Sequence, residues 1–175
     1  MKDDTLQLEI ISNQDLISDS SNQNLLERKK FKLNLPYREI LSTDISHDFD
    51  NELLSAKNIT LQKLYIENKD NYHVWVFESD SKILAFLSFV DEGDHFHIDM
   101  IAVNRIHDKL CDEIHPGYSL FTLLELVSLQ FGYSKITLNS VQNRIGYWKS
   151  NGYEIIGPSE FSNVWGMLTP MEKKF

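Results

Sequence analysis

His95, His97 and Asp99 alternate along one short stretch, HFHIDMIAV (95–103). Alternate residues of an extended chain share a face. The three titratable groups therefore point one way, with Ile101 and Val103 following them, while Phe96, Ile98, Met100 and Ala102 form an opposite face that is apolar throughout. Histidine changes charge near neutral pH. A neighbouring carboxylate favours the imidazolium and burial opposes it. His97 with Asp99 two residues on is thus suited to proton transfer near pH 7. A solvated sheet face or edge is the alternative for the same pattern. The strand offers no further ligand to complete a metal site, so no metal is expected.

The surrounding residues, 95–141, read strand, loop, helix, strand. The loop is NRIHDKLCDEIHPGY and the helix SLFTLLELVSLQFG, with Ser119 as N-cap and Gly132 as the C′ residue. Polar residues in that helix fall at Ser119, Thr122, Glu125 and Ser128. This spacing predicts one narrow wet stripe on an otherwise buried helix. A helix mouth presents free N–H groups and a favourable dipole to an anion. Gly117 just before it lets a ligand approach the backbone, although a Pro-Gly pair is also an ordinary turn.

Upstream, Thr5–Ile11 alternates as a first strand, and Leu25–Phe31 and Leu53–Tyr65 read as short helices separated by Pro36. The basic run Arg28, Lys29, Lys30, Lys32 reads as a solvated helix end. His73–Glu78 and the nearly unbroken apolar run Ile83–Val90 are strands joined by polar turns to each other and to the His95 strand. Downstream, Lys135–Val141 is a strand, Asn143 caps a short helix that Gly152 ends, Glu154 begins another strand, and Val164–Leu168 is the last. The 175 residues suit one domain, 1–175, and carry a net charge of −9. That charge argues against a nucleic-acid partner and is compatible with a cationic substrate. The single cysteine, Cys111, excludes an internal disulfide. The start MKDDTLQLEI has no apolar signal core and no segment suits a membrane, so a cytoplasmic protein is expected.

The element order, with residues 73–157, resembles the GNAT superfamily of N-acetyltransferases. IDMIAV (98–103) resembles the end of that family's fourth strand, PGYS (116–119) its acyl-CoA pyrophosphate loop, and NRIGYWKSNGY (143–153) its last conserved helix, in the version of the histone acetyltransferase branch. The implied fold is α/β (α+β), a mostly antiparallel mixed sheet flanked by helices, with a βαβ cofactor unit at 95–141. Residues 1–72 would be the variable N-terminal part.

The resemblance implies acetyl-CoA as acyl donor and a primary amine as acceptor, on a small molecule or a protein lysine or N-terminus; a homodimer is admitted. It places the pantetheine arm near Ile101 and Val103, the pyrophosphate on Gly117, Tyr118, Ser119 and Leu120, and further cofactor contacts at Asn143 and Tyr147. It puts His97 where that branch has its base, Asp99 as partner or substitute, and Tyr147 as acid, with Trp148 holding the tyrosine position in the commoner spacing. Two features depart from the family. Ile114 stands at a position usually Gln or Arg, and the loop is longer and holds Asp108, Asp112 and Glu113. Arg105, Lys109, Arg144 and Lys149 are candidates for replacement charge. A non-catalytic GNAT-like binding or regulatory domain with a degenerate cofactor site is the alternative.

Overall fold

The computed structural model describes residues 9–10, 29 and 31–175. An eight-stranded sheet runs in the order β3 (Tyr37–Glu39), β4 (Tyr72–Ser79), β5 (Lys82–Asp91), β6 (Phe96–Val103), β7 (Lys135–Val141), β10 (Gly166–Lys174) and β8 (Glu154–Ile155), with β9 (Glu160–Ser162) also paired to β10. Neighbours are antiparallel except β6 and β7, which are parallel. A parallel pair needs a crossover. Here α3 (Asp108–Ile114) and α4 (Pro116–Gln130) provide it. The short helices α1 (Glu52–Ala56) and α2 (Leu61–Glu67) join β3 to β4, and α5 (Ile145–Ser150) follows β7.

The sheet separates two cores. On one face, α4 packs Leu120, Phe121, Leu124 and Val127 against Trp75, Leu87, Phe89, Phe96 and Ile98. On the other, α1 and α2 pack Leu54, Leu61 and Leu64 against Val74, Val76, Phe86 and Ala102. β5 lies between both cores and is buried along nearly its whole length, as its apolar run predicts.

The strand that opens the sheet is Tyr37–Glu39, not Thr5–Ile11. Of the latter only Glu9–Ile10 (β1) is described, and it pairs with β2 (Phe31–Lys32) in a separate two-stranded sheet. The predicted helix Leu25–Phe31 lies almost wholly outside the described residues, and its last residue is strand. Phe31 enters the main core, its ring 4.9 Å from His73 and 5.0 Å from Trp75. Lys29 is not a solvated helix end. Its ammonium pairs with buried Asp91 at 2.7 Å, donates to the Tyr133 hydroxyl and lies over the Phe131 ring. Leu53–Tyr65 breaks into α1 and α2 because Asn51 and Thr60 each cap a helix of their own.

Three further expectations change. β10 runs Gly166–Lys174 rather than Val164–Leu168, so a strand continues through Pro170 and a charged tail that argue against one locally. Residues 104–115 are not a loop: a 3-10 turn (Arg105–His107) leads into α3, whose Leu110, Cys111 and Ile114 share one core-facing side. α4 starts at Pro116, so Gly117 lies inside its first turn and Ser119 is not the N-cap. Proline needs no N–H bond at that first position. The N-cap is His115, in the left-handed region at φ 54°, and the Ser119 hydroxyl donates to its carbonyl at 3.2 Å. The wet stripe is also displaced: Ser128 is buried whereas Leu126 and Leu129 are exposed. Gly132 and Gly152, both at positive φ, close α4 and α5 as predicted.

Candidate active site where two parallel strands part

β6 and β7 pair at Phe96–Ile136, His97–Thr137 and Ile98–Leu138, and no further. Both strands continue, β6 to Val103 and β7 to Val141, so a wedge opens after Ile98. On its other side β6 follows β5 in register, with one irregularity. Ser88 faces Met100 and Phe89 faces Ile98, which leaves Asp99 as an extra residue. This is a β-bulge, and it reverses the faces that strict alternation assigns. Phe96, Ile98, Ile101 and Val103 lie on the α4 side, and Met100 and Ala102 on the α1–α2 side. The predicted continuous apolar face of Phe96, Ile98, Met100 and Ala102 therefore does not exist.

The bulge also sets where β6 offers its backbone. Asn104 N–H donates to the Leu84 carbonyl at 2.8 Å. Bonded and non-bonded pairs alternate along an antiparallel ladder. Ile101, opposite Leu87, and Val103, opposite Ala85, accordingly turn their N–H and C=O groups away from β5 and into the wedge. The Val103 carbonyl accepts from Asn51 Nδ2 at 3.2 Å, so Ile101 and the Val103 N–H are the groups available to a ligand.

Asn104 fixes the end of the strand and was not singled out by sequence. Fully buried, it donates to the carbonyls of Asp48 and Ile83 and accepts from the N–H groups of Asp50 and Ile106.

The mouth of α4 stands beside the wedge. A Cβ on Gly117 would lie 3.1 Å from Val103 Cγ2, so helix and strand approach as closely as glycine permits. Pro116 has no N–H, and the Ser119 N–H is bonded to the His115 carbonyl. Gly117 and Tyr118 thus carry the free donors of the first turn. Of the other two expected contacts, the Ser119 N–H is already bonded and the Leu120 side chain is fully buried core. Ile114 packs on the α4-side core, which explains an apolar residue where a charge was expected. Arg105 pairs with Asp108 at 3.1 Å, and Arg105 and Lys109 line an open depression of about 420 Å³ with Lys82 and His107.

On the α1–α2 face, β4 to β7 align Tyr72, Val90, His97 and Thr137 across the sheet. His97 Nδ1 is 2.8 Å from Thr137 Oγ1, and Nε2 is 3.5 Å from Asn139 Nδ2. An amide NH₂ beside Nε2 favours a lone pair there, which places the proton on Nδ1. Burial, more than any other influence, holds the His97 pKa below its ordinary value; Asp99 and Glu92 pull it upward and His95 adds to the lowering. Asp99 is exposed, and its Oδ2 accepts from the Tyr72 hydroxyl at 2.7 Å and the Ser88 hydroxyl at 3.4 Å. His95 stands apart, its Nδ1 2.6 Å from Asp94 at the strand entrance.

Tyr72, Ser88, Thr137 and Asn139 were missed. Only Ser88, a single hydroxyl in the apolar run ILAFLSFV, carried a signal.

α5 settles the one-residue ambiguity in packing. Trp148 is 6% exposed, among Phe121 and Tyr153, whereas Tyr147 is 41% exposed. Tyr147 and Tyr118 both set an edge against Phe121. Burial chiefly, with Tyr118, raises the Tyr147 pKa, and Arg144 works against them. Asn143 is not the cap of α5; it lies exposed in a 3-10 turn (Gln142–Arg144), and Arg144 takes the N-cap position with no side-chain bond.

No protein-family model matches this sequence, and no curated protein does. Solved structures are similar in fold. Ard1 from Thermoplasma volcanium is 14% identical, covering 79% of this chain and 95% of its own, with a TM-score of 0.58. A GNAT-family acetyltransferase from Elizabethkingia anophelis, with acetyl-CoA bound, is 13% identical over 79% of this chain and 97% of its own, at 0.57. One from Staphylococcus aureus Mu50 is 14% identical over the same shares, at 0.56. The mostly antiparallel sheet flanked by helices and these similarities agree that the chain has the GNAT N-acetyltransferase fold.

Proposed function

We propose that the protein moves an acetyl group from acetyl-CoA to a primary amine by direct attack. The observation that carries this reading is the wedge opened after Ile98 and Leu138, with backbone donors on one wall and a helix mouth beside it. The wedge fits the donor: Ile101 and the Val103 N–H meet an extended amide-bearing arm, and the Gly117 and Tyr118 N–H groups meet a pyrophosphate. One similar structure holds acetyl-CoA, which supports the assignment.

Bound acetyl-CoA supplies a thioester carbonyl to attack. The chain's residues act on the protons. An amine arrives as ammonium and must lose a proton before its nitrogen can attack. His97, held unprotonated by burial, takes that proton on Nε2. Asp99 holds the ammonium beside it. The nitrogen bonds to the carbonyl carbon and the carbon–sulfur bond breaks; Tyr147, kept protonated by its raised pKa, gives its proton to the departing thiolate, and the second proton shed by the new amide nitrogen restores the phenol. The acceptor is a small amine or a protein lysine or N-terminus.

Acetyl-CoA at about 100 times its dissociation constant should stabilise the fold by roughly 2.7 kcal/mol, read as a thermal shift. Mass spectrometry should then find a primary amine heavier by one acetyl group. No shift at millimolar acetyl-CoA from a folded sample overturns the reading. The binding-module alternative, favoured by apolar Ile114 and the acids of α3, would then stand.

A further inference from the structure

We infer that Tyr72 positions Asp99 as the anchor for the acceptor's ammonium, an inference that rests on the amine-acetylation reading above. Asp99 is the extra residue of the bulge, with no β5 residue opposite, so the ladder does not hold it as it holds its neighbours. Two side chains on adjacent strands do so instead. Tyr72 on β4 donates to Oδ2 at 2.7 Å, and Ser88 on β5 reaches the same oxygen at 3.4 Å. Among the described residues Oδ1 accepts nothing, and Asp99 is exposed. One oxygen is fixed and the other is presented.

Tyr72 is itself anchored, packing against the core beneath α1 and α2. Burial, as the largest influence, raises its phenol pKa, with Asp99 and Glu67 adding to the effect and Ser88 opposing it. It therefore stays a donor at any working pH. Its single proton is committed to Asp99, so it is a positioning residue and not the acid that serves the thiolate.

Most of the charge nearest to Tyr72 and His97 is acidic. Glu67 from α2 and Asp99 from β6 act on Tyr72; Asp99 and Glu92 from the β5–β6 turn, and in the opposite direction His95, act on His97. β7 contributes the uncharged Thr137 and Asn139 and, at its start, Lys135, which acts on Asp94 and Glu172. Such a site attracts a cation. An ammonium on Oδ1 makes a charge-assisted bond with a carboxylate whose direction is already set. His97 and Asp99 then divide the work: Asp99 binds the charge and His97 receives the proton.

The test uses n-butylamine as acceptor with acetyl-CoA. Tyr72→Phe and Asp99→Asn should each raise the KM for n-butylamine about tenfold or more. The KM for acetyl-CoA should stay within about twofold, and kcat should change less than the amine KM. Ser88→Ala, removing the longer contact, should move the amine KM the same way by less, and it serves if Tyr72→Phe fails to fold. An unchanged amine KM in Tyr72→Phe overturns the inference. So does a parallel loss of kcat, both KM values and melting temperature, which marks a scaffold role alone. If wild type acetylates nothing, the function reading fails separately. NMR titration with n-butylammonium then decides the anchor: a saturable shift at Asp99 that is lost in Tyr72→Phe upholds it, and no shift in wild type overturns it.

Discussion

Ile98 and Leu138 are the last residues of β6 and β7 to face one another, and the next residue of β6, Asp99, is the bulge. Parting and bulge fall at consecutive positions. The bulge keeps Asp99 on the face that holds His97 and turns Ile101 and Val103 to the α4 side.

The proposed base, His97, has a defined sign in pH. Burial lowers the folded His97 pKa below the ordinary 6.5, against the pull of Asp99 and Glu92. The unfolded chain therefore binds more protons in the window below 6.5. His97's contribution to stability is complete above that value and is lost as pH falls through the folded pKa. The acidic limb of kcat/KM should likewise lie below 6.5. His97→Gln should remove the limb and most of the rate while leaving the acetyl-CoA thermal shift intact. A wild-type pH profile in His97→Gln would pass the role of base to Asp99 or to water.

Tyr147 and Trp148 should separate activity from stability. Tyr147→Phe, at a half-exposed hydroxyl, should lower kcat by about 10²–10⁴-fold with no change in melting temperature. Trp148→Ala, in the packed core with Phe121 and Tyr153, should cost about 3–5 kcal/mol in denaturant titration. An unchanged rate in Tyr147→Phe assigns the thiolate's proton to water.

Gly117 packs tightly against β6. Gly117→Ala sets a methyl 3.1 Å from Val103 Cγ2 and should cost about 1–3 kcal/mol. Val103→Ala in the same chain should relieve the clash and restore the acetyl-CoA shift. A double variant that stays unable to bind would show that Gly117 serves the ligand directly.

Asn104 should be among the costliest polar substitutions. Asn104→Ala strips partners from two carbonyls and two N–H groups at a fully buried position. Each orphaned buried group costs about 1–3 kcal/mol. A loss below roughly 2 kcal/mol in urea titration would mean that water replaces the amide.

The sequence by itself determined the elements whose signals are local. The apolar run 83–90 is a strand because both its faces are buried, and α4 ends at Gly132 because that residue takes positive φ without strain. The meander, the crossover and the segment 143–153 were legible because periodicity and turn residues depend on near neighbours. Tertiary structure alone decided the site. Whether Ile98 shares a face with Met100 or with Ile101 depends on one unpaired residue in the β5–β6 register, and no pattern within β6 records a partner's register. Tyr72 meets Asp99 only because β4, β5 and β6 lie side by side. Residues 104–115 became a helix because Leu110, Cys111 and Ile114 found a core to cover, and β10 holds Pro170 and its charged end because β7 pairs with it along its length. Long-range pairing set these outcomes against weak local preference, and the chemistry of this protein is assembled there.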